Sequence, residues 1–157
     1  MGIVPAIAVS GKLDQVTYQP IYGFPYTLRP QVLAGTWQYM PYTTADQPYV
    51  SALLSKWNST TSARDTVAYA YYAMPGMEMF WTQFHIVFNY VSTATPDSAM
   101  IVLSASGPNP IAYSFLNVDD LRLTDSTTLL APIVHRHAGI SVIPNPAYEN
   151  TSITYTS

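Results

Sequence analysis

From Phe80 to Tyr90 the side chains alternate without a break. Phe80, Thr82, Phe84, Ile86, Phe88 and Tyr90 fall on one face of an extended strand, and Trp81, Gln83, His85, Val87 and Asn89 on the other. A helix would scatter both sets around its axis, so this segment reads as a strand with the first face towards a core. The same period of two runs through Gln31 to Met40, between Pro30 and Pro41. There Leu33, Gly35, Trp37 and Tyr39 oppose Val32, Ala34, Thr36, Gln38 and Met40. Tyr49 to Trp57, Thr66 to Ala73, Ala99 to Ala105 and Ser114 to Leu123 complete a set of strand-like runs, and Ala99 to Ala105 is apolar enough to be buried on both sides. Asn58 to Ser62, Met74-Pro75-Gly76, Thr95-Pro96-Asp97 and Ser106 to Pro110 supply the turns between them. With no amphipathic helix in the pattern, the expected fold is all-β: an antiparallel two-sheet β-sandwich, jelly-roll-like, in preference to a closed barrel.

At 157 residues there is material for one sizeable core. The alternation assigns residues 1–125 to the sandwich, with 1–21 the least defined, 126–138 to a linker or one crossing strand, and 139–157 to a separate beginning at Ile140, Val142 and Ile143. Only 10% of residues are charged, and Lys and Arg together number 6. Nucleic acid is therefore excluded as a partner, because phosphate backbones are held by clustered cations. No apolar stretch approaches the ~20 residues of a membrane-spanning helix. Ile3 to Val9 contains Pro5 and follows no basic residue, which makes a poor signal peptide. The absence of cysteine removes disulfides, zinc thiolates and thiol nucleophiles. Thr and Ser, 31 residues together, and 13 Tyr suit half-exposed pleated surfaces and the composition of secreted β-proteins.

Two stretches carry family resemblances. Gly23-Phe24-Pro25-Tyr26-Thr27-Leu28-Arg29-Pro30, Leu33-Ala34-Gly35-Thr36-Trp37-Gln38-Tyr39, Leu54-Ser55-Lys56-Trp57, Trp81-Thr82-Gln83-Phe84-His85-Ile86, Asn89-Tyr90, Pro96-Asp97-Ser98 and Leu116 to Leu123 follow one another in an order that resembles the putative carbohydrate metabolism domain. That family is a β-sandwich module of bacterial surface proteins, related in architecture to carbohydrate-binding modules. Val142-Ile143-Pro144-Asn145-Pro146-Ala147, followed by Ile153, resembles the opening of the C-terminal sorting domain of type IX secretion, cut short at Ser157. Together they imply a secreted or surface-attached protein of a Gram-negative bacterium, whose other domains would be partners of this one.

Sugar rings stack their C–H faces on aromatic rings and pair their hydroxyls with neighbouring polar side chains, so aromatics beside Asn, Gln, Arg or Asp are the residues to weigh. Trp81 shares its strand face with Gln83, His85 and Asn89, a mixture suited to a solvated sheet face. Trp81, Gln83, His85, Tyr39, Tyr72 and Arg29 form the candidate ligand set, with Trp81 as the platform. Packing is the competing use of a strand tryptophan and is expected of Trp37 and Trp57; anchoring a loop competes for Arg29.

Asp119 and Asp120 are adjacent and expected on opposite strand faces. A glycosidase needs two carboxyls flanking one bond, roughly 5 to 9.5 Å apart, so this pair does not suggest catalysis. Backbone capping is one reading of the pair, and a structural calcium ion with Asp119 and Asp120 as ligands is the other. No other cofactor is expected. Asp14, Asp46, Asp65 and Asp97 border turns and read as Asx-turn acceptors. His135-Arg136-His137 lacks a third metal ligand and reads as a solvated linker. No Gly-x-Ser-x-Gly, phosphate loop or dinucleotide fingerprint occurs. The expectation is thus a non-enzymatic carbohydrate-binding module with a polysaccharide or glycan partner. A structural or adhesin spacer is the alternative, and a glycan-processing enzyme stands third.

Overall fold

The computed structural model describes residues 6–14, 16, 17 and 20–125, and the backbone of 140–143 and 152–155. The chain divides into two compact units, residues 1–127 and 128–157. In the first, the described strands are β1 (Ile7–Val9), β2 (Lys12–Leu13), β3 (Pro20–Tyr22), β4 (Phe24–Pro25), β5 (Val32–Met40), β6 (Tyr49–Asn58), β7 (Ala63–Ala73), β8 (Glu78–Val87), β9 (Asn89–Tyr90), β10 (Ser98–Ser104) and β11 (Phe115–Thr124). In the second, β12 (Ile140–Ile143) pairs with β13 (Ser152–Tyr155). The linker expected at 126–138, the His135-Arg136-His137 segment and most of the sorting-domain motif lie outside the described residues. Among the described residues no helix is long and apolar enough to cross a membrane.

Every strand pair is antiparallel, as the sandwich reading requires. The larger sheet runs β1-β10-β6-β7-β9, with β4 sharing the β1 side of β10; the smaller runs β11-β5-β8. β10 is flanked by β6 on one side and by β1 and β4 on the other, so both its edges are paired, and it is buried along most of its length. The β2-β3 hairpin stands between β1 and β4 in sequence and forms its own small sheet.

The core fills by size complementarity. The smaller sheet contributes Leu33, Trp37, Tyr39, Phe84 and Ile86, and the larger answers with Ala52, Leu54, Ala68 and Ala70. Small residues on β6 and β7 leave room for the rings from β5 and β8. Gly35 serves the same end: a Cβ there would lie 2.9 Å from Phe84 Cζ and 3.1 Å from the Asp119 carbonyl oxygen.

Three departures from plain alternation matter. The run Phe80 to Tyr90 is not one strand. It leaves the smaller sheet after Val87, and Asn89-Tyr90 join the larger sheet beside β7, with Phe88 at the crossing donating its N–H to Gln31 O at 2.9 Å. Phe80 is not core but 80% exposed. Trp37 pairs with Thr82 whereas Tyr39 pairs with Glu78, so Met79, Phe80 and Trp81 oppose Gln38 alone in a bulge. The Gln38 side chain fills the gap, donating from Nε2 to Met79 O at 3.0 Å. Finally, β11 is bulged between Asp119 and Arg122, opposite Gly35, with Asp120 at a φ of 53°. Inward residues are even-numbered before it (Leu116, Val118) and odd after it (Leu123).

Candidate functional site

Outward-facing side chains of the smaller sheet line up in cross-strand rows. Gln83, Thr36 and Asp119 form one, and His85, Ala34 and Arg122 the next. Trp81, released by the β8 bulge, is 52% exposed and borders a cleft of about 690 Å³. The cleft lies where the edge strand β11 of one sheet faces β1 and β10 of the other. Ile7, Ala8 and Leu103 form its apolar side, while Phe115, Asn117 and Asp119 line it from β11. Phe115 pairs with Met40, itself exposed, so an apolar rim continues onto the sheet end. Its size falls within the range of small-ligand sites.

The structure thus groups Trp81, Gln83, His85 and Asp119 on one sheet face and separates the rest of the candidate set from them. Tyr39 is fully buried and cannot offer a platform. Tyr72 pairs with Val50 on the inward face of the larger sheet and packs against the core. Arg29 is committed to structure: its Nη1 donates to Ala94 O, its Nη2 to Ser92 O at 3.0 Å, and its guanidinium lies 4.2 Å from the centroid of Tyr90. It ties the loop before β5 to the loop after β9, as the anchoring alternative holds. Phe115, Asn117 and Arg122 are the site residues that sequence reading missed. Asn117 and Phe115 sit at odd positions of a visible alternation, so that signal was present; Arg122 faces outward only because of the bulge. Nε2 of His85 and Nε of Arg122 are shielded from solvent without a hydrogen-bond partner among the described residues.

Trp57 was expected to pack, yet it is half exposed, because β6 and β7 extend past the core after a register shift at Leu54/Ser55. Its N–H donates to Asp97 Oδ2 at 2.8 Å, and Arg64 closes a 2.6 Å ion pair with Asp97. The Trp57 amide and then Arg64 hold the Asp97 carboxyl below its ordinary pKa.

The turn aspartates divide. Asp14 is an Asx-turn acceptor for Val16 and Thr17 N–H. Asp97 instead bridges strands, Asp65 accepts from Asn58 Nδ2 at 2.8 Å, and Asp46 is buried. Burial alone would raise the Asp46 pKa, but bonds from Ser114, Ser106 and the Gly107 amide outweigh it and leave the carboxyl below its ordinary value. Ser106 Oγ donates to Asp46 Oδ2 at 2.8 Å. The Tyr39 hydroxyl faces this group without closing a bond of normal geometry; burial, and then the Asp46 charge against the pull of Ser114, raises its pKa.

Asp119 and Asp120 are exposed on the bulge, and Asp119 Oδ1 accepts the Asp120 N–H at 2.8 Å. Calcium takes 6 to 8 oxygens. Among the described residues no third carboxylate, imidazole or thiol joins the pair, so any further oxygens for a calcium ion would come from backbone carbonyls or water.

No protein-family model matches the chain, and no curated protein matches it in sequence. Two solved structures share its fold. One, described as a putative glycoside hydrolase from Bacteroides thetaiotaomicron, has a TM-score of 0.63 and 17% identity over 76% of this chain and 46% of that one. The other, described likewise and from Bacteroides vulgatus, has a TM-score of 0.60 and 21% identity over 76% of this chain and 64% of that one. The chain therefore spans under two thirds of either. At these identities the likeness establishes the antiparallel sandwich and nothing finer.

Proposed function

We propose that the chain is a non-catalytic module of a secreted or surface-attached bacterial protein and binds carbohydrate at the Trp81 cleft. The observation that carries this reading is the half-exposed indole bordering a cleft that also presents Phe115, Asn117 and Asp119. Aromatic faces for C–H stacking beside an amide and a carboxylate are what a sugar ring requires. The fold likeness to proteins described as glycoside hydrolases adds a carbohydrate context, and the resemblance to bacterial surface modules supports location outside the cell, alongside further domains. The non-catalytic part rests on the carboxylates: Asp119 and Asp120 are neighbours on one bulge, joined through a backbone amide, and do not flank a substrate bond.

Exposed Met40, Tyr42, Met77 and Phe80 favour a second reading, a spacer that contacts a neighbouring domain. Pulldown on insoluble polysaccharides, with a glycan array, separates the two. Wild type should be retained by at least one glycan, and Trp81→Ala should weaken retention ~10-fold or more. Binding indifferent to that substitution would remove the cleft mechanism, and no binding to any glycan would leave the spacer.

A further inference from the structure

The larger sheet carries an unassigned feature on its own outer face. In β7, inward Ala68 and Ala70 alternate with outward Tyr69 and Tyr71, and Tyr49 joins them from β6. These tyrosines border a groove of about 410 Å³ floored by Ser51, Leu53, Met100 and Val102, with Pro20 of the β2-β3 hairpin opposite. We propose that this groove is a second carbohydrate site, for a neutral, hydroxylated glycan chain, on the opposite sheet from the Trp81 cleft. It shares the carbohydrate reading of the cleft but stands on different residues.

The chemistry selects the occupant. Among the described residues no Asp, Glu, Lys or Arg lines the groove, so none of them offsets the desolvation of a charged ligand. Tyr49 and Tyr71 rings lie 5.5 Å apart at 31°, a tilted pair already held in place, so little rotamer freedom is lost when a ring stacks on it. Asn89, paired with Tyr69 across β9 and β7, donates from Nδ2 to the Tyr69 hydroxyl at 2.6 Å. That bond occupies the phenol as an acceptor and leaves its proton to donate to a ligand oxygen. Apolar ring faces with outward phenolic donors match a sugar chain, whose rings have C–H faces and hydroxyl rims. A second copy of this chain is a poorer occupant, since sheets pack face to face as flush layers about 10 Å apart and Pro20 of the hairpin stands at this groove.

The test is a titration of the full chain, followed by ¹H–¹⁵N NMR, with short oligosaccharides of unsubstituted glucan, xylan and mannan and with oligogalacturonate as the charged comparison. The Asn89 side-chain amide reports the groove and the Trp81 indole N–H reports the cleft. A saturable shift of the Asn89 amide with a neutral oligosaccharide, and not with oligogalacturonate, is expected. Tyr71→Ala should weaken that titration roughly 2- to 10-fold while leaving the Trp81 response unchanged. Movement of Asn89 alone would uphold the groove and sink the cleft. Movement of the Trp81 indole alone would overturn the groove, and movement of neither would overturn both. An Asn89 shift that follows protein concentration without sugar would make this face a self-association surface instead.

Discussion

Gly35 shows how much one missing Cβ can decide. Its backbone φ is not in the left-handed region, so space rather than conformation requires it. The Phe84 ring lies over it on the inward side, and the bulged Asp119 carbonyl presses from β11. Gly35→Ala should destabilise the sandwich by about 1–3 kcal/mol in urea unfolding, the usual cost of overpacking. Combining it with Phe84→Leu should cost less than the sum of the two single changes; full additivity would show that the ring is not the obstacle. Asp46 makes a different residue-scale prediction. Its folded pKa is depressed, so the stability it confers is present above the ordinary carboxylate range and is lost as pH falls through the folded value. Thermal midpoints should hold level down to about pH 4 and then decline. Asp46→Asn should lower the midpoint at neutral pH and flatten the acid decline; an unchanged acid limb would assign that decline elsewhere, with Asp97 the next carboxylate to test. At this scale the sequence showed that Trp81 faces outward and that Asp119-Asp120 is unusual. Burial of Tyr39 was not legible as a constraint on function, because facing inward and offering an aromatic ring look the same in an alternating pattern.

Strand positions were legible because period-two burial is a local property. β5, β6, β10 and β11 begin and end within a residue or two of where the alternation places them. The interruptions were not legible, and they do most to shape the candidate site. A bulge adds residues without breaking the hydrophobic pattern on either side, so Met79 to Trp81 reads as continuous strand while it turns Phe80 outward. Likewise, Phe88 and Tyr90 continue the alternation of Phe84 and Ile86 across a change of sheet, since the interior they face is common to both layers. Thr66 to Ala73 was legible as a strand, but which of its alanines and tyrosines face the core was not assigned from the sequence. The meaning of the outward tyrosines emerged only when β6 and the hairpin supplied the remaining groove walls.

On the scale of the whole molecule, the buried apolar cluster is drawn from residues between Leu33 and Ile101, with Leu116, Val118 and Leu123 packed against it. All of it belongs to the unit formed by residues 1–127. A chain ending at Thr127 should therefore keep a cooperative thermal transition with a midpoint within a few degrees of the full chain, measured by circular dichroism. A large drop, or loss of cooperativity, would mean that the core depends on residues 128–157. The sandwich architecture was legible at this scale because period-two runs recur along the chain with turns between them and no amphipathic helix; which edges would face each other across the cleft was not, since that depends on sheet order.

That sheet order has a mechanical consequence. β1 and β11 are the first and last strands of the sandwich, they belong to different sheets, and both line the Trp81 cleft. Tension drawn through the flanking chain would load these two strands before it reached the core. The 3-residue β1 would yield before the 10-residue β11, so the apolar side of the cleft would part while the rest of the fold still held. If the cleft holds a glycan as proposed, that grip would slacken under pull.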